Sequence, residues 1–355
     1  MAKNLRIALV APVALPVAPE TAGSIEQLVW RLAEELIRRG HEVALFATGN
    51  SHSSATLHAV YPRGYEDDDS LWDYKFHETM NMANAMEQAD HFDVIHSHVY
   101  HHALPFVRLV PTPIVHSYHV LPDPDIISAF ARYPEAQIVA LSAYQRRIFK
   151  NNPNVTVVHH DIDARAFSTD PASVGHDSNL TNGNYLLFLG RIVPGKGTVE
   201  AIHLAKKVGM RLIIAGPRDD QDEGYFESEV APLIDNRLIE YIGAVSLKAR
   251  VPLLAKAAAL LYPITDPEPF GLVVIEALVC GTPVLATALG AVPELVQNGV
   301  NGFCAADWQS LADCFHETLQ MDRSSVRKNA IVRFGRRRMV DEYEAVYRQL
   351  AAAGK

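Results

Sequence analysis

The sequence predicts an α/β protein of two doubly wound domains, each a parallel sheet covered by helices on both faces. Three observations carry that expectation. Short apolar runs alternate with amphipathic helical patterns through the first half, which implies parallel strands joined by right-handed crossovers. The same alternation restarts after a stretch without periodicity. The length, 355 residues, suits two domains of ordinary size.

Arg6-Ile-Ala-Leu-Val-Ala-Pro12 reads as a buried strand, followed by a proline-rich loop to Pro19. From Glu26 to Arg39, Leu28, Leu32 and Leu36 recur four apart, the spacing of one helix face, and Gly40 stops the pattern. Strands are then predicted at 42–46, 94–97, 114–118, 138–141 and 156–159, giving a first domain over residues 1–167. Residues 168–184 are rich in turn formers and are the expected linker. The second domain, 185–335, opens on Tyr185-Leu-Leu-Phe-Leu-Gly190. A helix near 197–208 follows, then strands at 211–216, near 239–242 and at 258–262. Met339 to Leu350 is helical by periodicity, within a closing segment 336–355. Domains of this kind bind ligands outside the carboxyl ends of their strands, in a cleft.

Composition narrows the function classes. The chain is 48% hydrophobic and 21% charged, which is ordinary globular usage. No apolar run has membrane-spanning length, and Met-Ala-Lys-Asn-Leu-Arg leads directly into a strand, so neither a span nor a signal peptide is expected. Three cysteines (Cys280, Cys304, Cys314) make no disulfide framework or metal-ligand spacing and fit a reducing cytoplasm. A net charge of −9 argues against general nucleic-acid binding. Arg327, Lys328, Arg333, Arg336, Arg337 and Arg338 form a local basic run with two readings: peripheral contact with anionic lipid, or a solvated helix face against acidic neighbours.

The most informative segment is Asp266-Pro-Glu-Pro-Phe-Gly-Leu-Val-Val-Ile-Glu-Ala-Leu-Val-Cys-Gly-Thr-Pro-Val-Leu-Ala286. Pro269 suits a first helical position, Gly281 a helix end, and Pro283–Ala286 a strand. Glu268 then stands at the helix mouth and Glu276 about two turns inside. Free N–H groups at the helix start suit an anion such as a diphosphate, and ionised carboxylates accept from hydroxyls. The bland reading is a pair of carboxylates favoured by the helix dipole.

Glu268-Pro-Phe-Gly through Glu276 resembles the E-x7-E motif of retaining glycosyltransferases of family 4, which have the GT-B fold: two Rossmann-like domains facing each other across a cleft. The resemblance implies that Glu268 contacts the donor sugar's hydroxyls and that Glu276 holds the ribose. The backbone of Phe270, Gly271 and Leu272 would approach sugar and diphosphate. It also implies a last helix that crosses back onto the first domain.

Gly190-Arg-Ile-Val-Pro-Gly195-Lys196-Gly197 nearly spells a P-loop, but Gly197 stands where a magnesium-binding hydroxyl belongs and Pro194 removes an N–H. The same residues resemble the family's G-R-x(n)-K-G element, with Arg191 and Lys196 gripping the donor diphosphate. Two fixed cations would stabilise the dianion that leaves when a glycosyl phosphate bond breaks. No Asp-x-Asp pattern stands in good context, Asp67-Asp68-Asp69 and Asp123-Pro-Asp125 being loop acids, so a metal-independent mechanism is expected. The alternative is a pair of surface loop cations.

In the first half, His96-Ser-His98-Val-Tyr-His101-His102 invites a metal reading, since residues two apart on a strand share a face. No acidic or cysteine partner supports it. Asp93-Val-Ile-His96-Ser-His98 resembles the family's D-V-I-H-x-H strand end near the acceptor, which makes His98 an acceptor-side candidate and His96 a packing residue. Pro113-Ile-Val-His-Ser-Tyr-His119 resembles P-x-V-x-T-x-H, whose last histidine lies beside the transferred sugar. The family's Gly-Gly-x-Glu loop reads Gly23-Ser24-Ile25-Glu26 here, a departure that puts the acceptor geometry in doubt. Gly23 and Ser24 remain donor-side candidates or a plain helix cap. Asp161 stands where the family often has glycine.

The resemblance covers nearly the whole chain. It implies a retaining hexosyltransferase that uses a nucleoside-diphosphate sugar of the UDP or GDP type, with no cofactor and no metal, and an unidentified acceptor. The alternatives are a GT-B nucleotide-sugar epimerase and a non-catalytic sugar-nucleotide binding protein.

Overall fold

A computed structural model describes residues 4–68, 70–167, 183–218 and 223–353. The expected linker, apart from residues 183 and 184, and Asp69 of the acidic run lie outside them. The contacts divide the chain into two units, Met1–Asp161 with Arg336–Lys355, and Ile162–Gly335. The boundary falls after Asp161 rather than after 167 for a visible reason. Ile162 bridges to Gly335 and donates its N–H to the Phe334 carbonyl at 2.9 Å. Arg327 also donates to the carbonyls of Ala164 and Phe167, at 3.1 and 3.0 Å, which ties 162–167 to the second unit.

The first unit holds a seven-stranded sheet of β1 (Arg6–Val10), β2 (Glu42–Phe46), β3 (Thr56–His58), β4 (Val94–Ser97), β5 (Ile114–Ser117), β6 (Gln137–Ala140) and β7 (Val155–Val157). Its order is β3-β2-β1-β4-β5-β6-β7, with parallel pairing throughout. The winding therefore reverses between β1 and β4. Ile7 to Val10 are wholly buried, as a central strand covered on both faces requires. The helix Ser24–Arg38 lays Leu28, Val29, Leu32, Ala33 and Leu36 on this sheet. The closing helix Arg336–Ala353 buries Met339, Val340, Tyr343, Val346 and Tyr347 in the same core. It is longer than the Met339–Leu350 that periodicity marks, because an arginine-rich first turn carries no apolar signal.

The second unit holds six strands, β8 (Leu186–Leu189), β9 (Leu212–Ala215), β10 (Ile239–Tyr241), β11 (Ala259–Tyr262), β12 (Val284–Thr287) and β13 (Gly302–Ala305). The order β10-β9-β8-β11-β12-β13 is again parallel, and it reverses between β8 and β11. Each unit thus has one topological switch point, where loops on neighbouring strands diverge to opposite faces and leave a crevice. The loops after β1 and β4 flank the first, and those after β8 and β11 flank the second.

The basic run is largely spent inside the fold. Besides its bonds to 164 and 167, Arg327 donates to the Val279 carbonyl. Arg333 donates to the carbonyls of Leu295, at 3.0 Å, and Glu294. Arg338 reaches the His159 and His160 carbonyls at 2.8 and 3.0 Å. Arg336 lies 3.8 Å from Asp161. The partners are mostly backbone carbonyls rather than the acidic side chains expected, and Lys328 and Arg337 stay exposed.

Candidate functional site

The second unit's switch point gathers residues far apart in sequence. After β8 the chain runs through Gly190 and Arg191 into a short 3-10 turn, Pro194–Lys196, and then Gly197 in the left-handed region (φ 74°, ψ 36°) before the helix Thr198–Val208. A Cβ on Gly197 would lie 1.9 Å from the Pro263 carbonyl oxygen. The loop after β11 therefore packs directly against this glycine, and no serine or threonine of a P-loop would fit there. The Thr265 N–H donates to the Gly195 carbonyl at 3.1 Å, fixing one loop on the other. The result is an ion pair between the Lys196 ammonium and the Glu268 carboxylate, both partly exposed.

Glu268 is held from two further sides. Its carbonyl accepts from the Ala291 N–H at 3.1 Å, with Gly290 in the left-handed region (φ 58°) because its backbone crosses that of Glu268. The Tyr262 phenol at the end of β11 hydrogen-bonds the Glu268 side chain. Burial, reinforced by that carboxylate, pushes the phenol far above its ordinary range.

The helix of the motif runs Leu272–Val279, not from Pro269, and this corrects the expected start. Gly271 is its N-cap with φ 121°, a conformation natural only to glycine, so the chain turns sharply between Glu268 and the helix. The open N–H groups of the first turn accordingly begin at Leu272. Glu276 lies one turn in, not two. It is buried, and Arg250 of the helix Leu247–Lys256 donates to both its oxygens at 3.0 and 3.2 Å. Phe270 is 2% exposed and meets Phe334 edge to face at 6.3 Å, so only its backbone is available to a ligand. Arg191 is exposed on the loop after β8.

The first unit presents different chemistry. Ser24 is the first residue of its helix and Gly23 the N-cap, without a side-chain capping bond, so the helix begins two residues before Glu26. A Cβ on Gly23 would meet the Glu26 carboxylate at 1.9 Å. Glu26 is buried there, and burial pushes its carboxyl up to about 7, against the lowering effect of its own backbone N–H. Glu78 is also buried, which pushes it up to about 8, although it accepts from the Val13 N–H at 3.1 Å and the Tyr65 hydroxyl at 3.2 Å.

His98, just past β4, and His119, just past β5, are brought together at 3.0 Å between Nδ1 and Nε2. His96 bonds Tyr347 Oη at 2.6 Å and Ser117 Oγ at 2.8 Å, so the closing helix is its partner. Burial keeps His96 and His98 far below the ordinary imidazole range and takes His119 down to about 4. Among the described residues, no group of three or more His, Cys, Asp or Glu is arranged to hold a metal ion, and no helix is long and apolar enough to cross a membrane.

The second unit's switch point therefore pairs Lys196 with Glu268, with Arg191 on the same loop as Lys196 and with Gly271 and Leu272 at the helix start that follows Glu268, while the first unit holds Gly23 and Ser24 at a helix start and pairs His98 with His119. Sequence reading missed Tyr262, Arg250, Glu78 and Gly290. Tyr262 closes an expected strand, but no local pattern marks it as a partner of Glu268. Arg250 carried no signal either, because its helix contains Pro252 and lacks a clear apolar stripe.

Residues 176–333 match the family described as Glycosyl transferases group 1, and residues 25–166 match Glycosyltransferase Family 4. The chain is 26% identical over 341 residues to the D-inositol 3-phosphate glycosyltransferase of Frankia alni, covering 80% of this chain and 82% of that protein. The crystal structure of AviGT4, a glycosyltransferase involved in avilamycin A biosynthesis, superposes with a TM-score of 0.74 and 26% identity, covering 98% of both chains. Anabaena HepE in complex with UDP shares the fold at 18% identity, with a TM-score of 0.71 over 98% of this chain and all of that one.

Proposed function

The chain belongs to the glycosyl transferases of group 1, with the GT-B fold, and on that premise we propose that it moves a hexosyl unit from a nucleoside-diphosphate sugar to an acceptor hydroxyl, with retention and without a metal ion. The observation that carries this reading is the Lys196–Glu268 pair at the second switch point, with Arg191 exposed on the same loop as Lys196 and the helix start at Leu272 following Glu268. A diphosphate dianion is a stronger partner for Lys196 than one carboxylate. On binding it takes the ammonium and leaves Glu268 to accept from sugar hydroxyls.

The chemistry then follows from charge. As the anomeric carbon–oxygen bond breaks, the electron pair goes to the leaving diphosphate. Arg191, Lys196 and the N–H groups at Leu272 and Val273 stabilise it. Glu268, steadied by Tyr262 and the Gly290–Ala291 turn, orients the sugar. Glu276 accepts from the ribose hydroxyls, with Arg250 fixing the carboxylate from behind. The acceptor hydroxyl attacks from the face that the leaving group departs, and a phosphate oxygen of that group takes its proton, which makes a protein base or nucleophile unnecessary.

The experiment is hydrolysis of UDP-glucose and GDP-mannose with water as acceptor, followed by proton NMR in EDTA before mutarotation. Turnover in EDTA with the α-anomer formed first is the expected result. A β-anomer as first product, or activity that EDTA abolishes, would overturn retention or metal independence respectively. Interconversion of the donor sugar without its release would point to an epimerase instead.

A further inference from the structure

Arg250 stands on a helix, Leu247–Lys256, that is tied down at its far end. The last carbonyls of a helix have no partner inside it, and here side chains take three of them. Leu253 accepts from the Tyr185 hydroxyl at 2.8 Å, Leu254 from the Thr282 hydroxyl at 2.6 Å, and Ala255 from Arg323 at 2.6 Å. Leu254 is wholly buried. Arg250 precedes it by four residues and so shares its helix face. That face carries the guanidinium to Glu276 on the helix Leu272–Val279, within the same unit.

The pair is poorly built for stability alone. Arg250 meets both Glu276 oxygens through one nitrogen, Nη1, at 3.0 and 3.2 Å. Its Nε is buried without a hydrogen-bond partner, and an unsatisfied buried donor costs free energy. The Arg250 side chain is 33% exposed and that of Glu276 10%, so the pair reaches the surface of its unit. What the contact achieves is orientation. The last torsion of a glutamate is broad, and a bond to each oxygen fixes the plane of the carboxylate. A ribose offers two neighbouring hydroxyl donors. Both reach one carboxylate only when its two oxygens face them together.

We propose that Arg250 determines specificity for ribose: by fixing the plane of Glu276 it makes the site select a ribonucleoside diphosphate over the 2′-deoxy counterpart. The inference rests on the reading of Glu276 as the group that accepts from the ribose. Arg250 acts through Glu276 and touches no reacting atom, so it is a positioning residue. A site arranged to hydrogen-bond a hydroxyl rejects the analogue that lacks it, and the rejection is only as sharp as the arrangement. Lysine is the conservative replacement, since its ammonium keeps the charge and the donors that face Glu276. Methionine keeps a long unbranched stem and loses both.

The test is calorimetric titration of UDP, GDP, their 2′-deoxy forms and inorganic pyrophosphate into the native protein, Arg250→Met and Arg250→Lys. The native protein should bind UDP or GDP at least tenfold more tightly than the matching deoxynucleotide. In Arg250→Met that ratio should fall below threefold, with the loss confined to the ribonucleotide, and Arg250→Lys should recover most of it. Pyrophosphate has no ribose, so its affinity should stay within twofold in all three proteins. A ratio unchanged in Arg250→Met, equal losses for the two nucleotides and pyrophosphate, or a tighter grip on UDP or GDP in that variant would overturn the proposal. The last result would show that Arg250 covers Glu276 rather than aligning it. Nucleotide binding by the native protein without discrimination would instead remove the ribose role of Glu276, and the proposal with it, before any substitution is made. Failure of the native protein to bind either nucleotide would overturn both.

Discussion

At the second unit's switch point the loops after β8 and β11 hold charges that are partly exposed and already paired, Lys196 on Glu268. At the carboxyl edge of the first unit the polar groups are buried and uncharged: His98 on His119, with Glu26 and Glu78 pushed towards neutrality by burial. The winding is the same and the chemistry is opposite. A crevice of fixed charge suits a ligand that brings charge of its own. An edge of neutral donors and acceptors suits hydroxyls. The first unit also buries an ion pair: Asp161 is wholly buried and receives Arg31 Nε at 3.0 and 2.9 Å. Asp161 is the last residue of the unit's first segment and Arg336 the first of its second, so the pair with Arg31 sits where the chain leaves and returns. That gives the departure from glycine at this position a structural purpose.

The largest effect expected follows from that contrast. Asp161→Ala strands Arg31 without its buried partner and should cost about 3–5 kcal/mol, measured by denaturant unfolding, with hydrogen exchange accelerated most in the first unit. A loss below about 1 kcal/mol would mean that the pair contributes nothing beyond its packing. Glu268→Gln comes next. Turnover of the donor sugar should fall about a hundredfold, about 2.7 kcal/mol of transition-state stabilisation, while the affinity for the nucleoside diphosphate alone holds or rises because Lys196 is released. A parallel loss of both would show that Glu268 acts by shaping the loop. Gly197→Ala should cost about 2–3 kcal/mol, from left-handed backbone and the Pro263 carbonyl, and thermal melting would detect it.

The smallest effect is a difference in pH response. Glu26 and Glu78 sit near 7 and 8 against an ordinary 4.5. Their contribution to stability is therefore complete below 4.5 and is lost as pH rises through 7 to 8. The depressed histidines act in the other direction. His116 at about 3, His119 at about 4, and His96 and His98 well below 6.5 contribute fully above 6.5 and lose it as pH falls. The first unit should be most stable near pH 6–7. In the second unit the shifted carboxyls, Asp235, Asp307 and Asp322, lie below 3.8 and the shifted thiols Cys280 and Cys304 near 12, so its response between pH 5 and 8 should be flat. Hydrogen exchange as a function of pH, corrected for intrinsic rates, separates the two. Equal responses would erase the contrast.

The central strands were legible because they are apolar throughout, as in Ile7–Val10 and Leu186–Leu189. The helix Tyr74–Met86 was hidden because its polarity is inverted. Glu78 and Asn81 face inward to bond the loop after β1 and the Phe46 carbonyl, while Tyr74, Phe76 and Met80 stay exposed. The edge strands β3 and β13 were too short, and too polar or too rich in small residues, to show a period. In the site, Lys196 and Glu268 were readable because their motifs carry glycines that the backbone needs, at Gly197 and Gly271. The start of the second motif's helix was misread because Pro269 signals a helix locally, while the left-handed turn at Gly271 comes later and resets it. Arg250 and Tyr262 answer to contacts across the fold, which no local pattern records.

The most direct test is a calorimetric titration of UDP, GDP and ADP into the native protein and into the Arg191→Ala, Lys196→Ala double variant, all in EDTA. One nucleoside diphosphate binding the native protein, and at least a hundredfold more weakly to the variant, is the predicted result. Affinity retained within threefold, a difference of less than about 1 kcal/mol, would contradict the charged clamp at the second switch point.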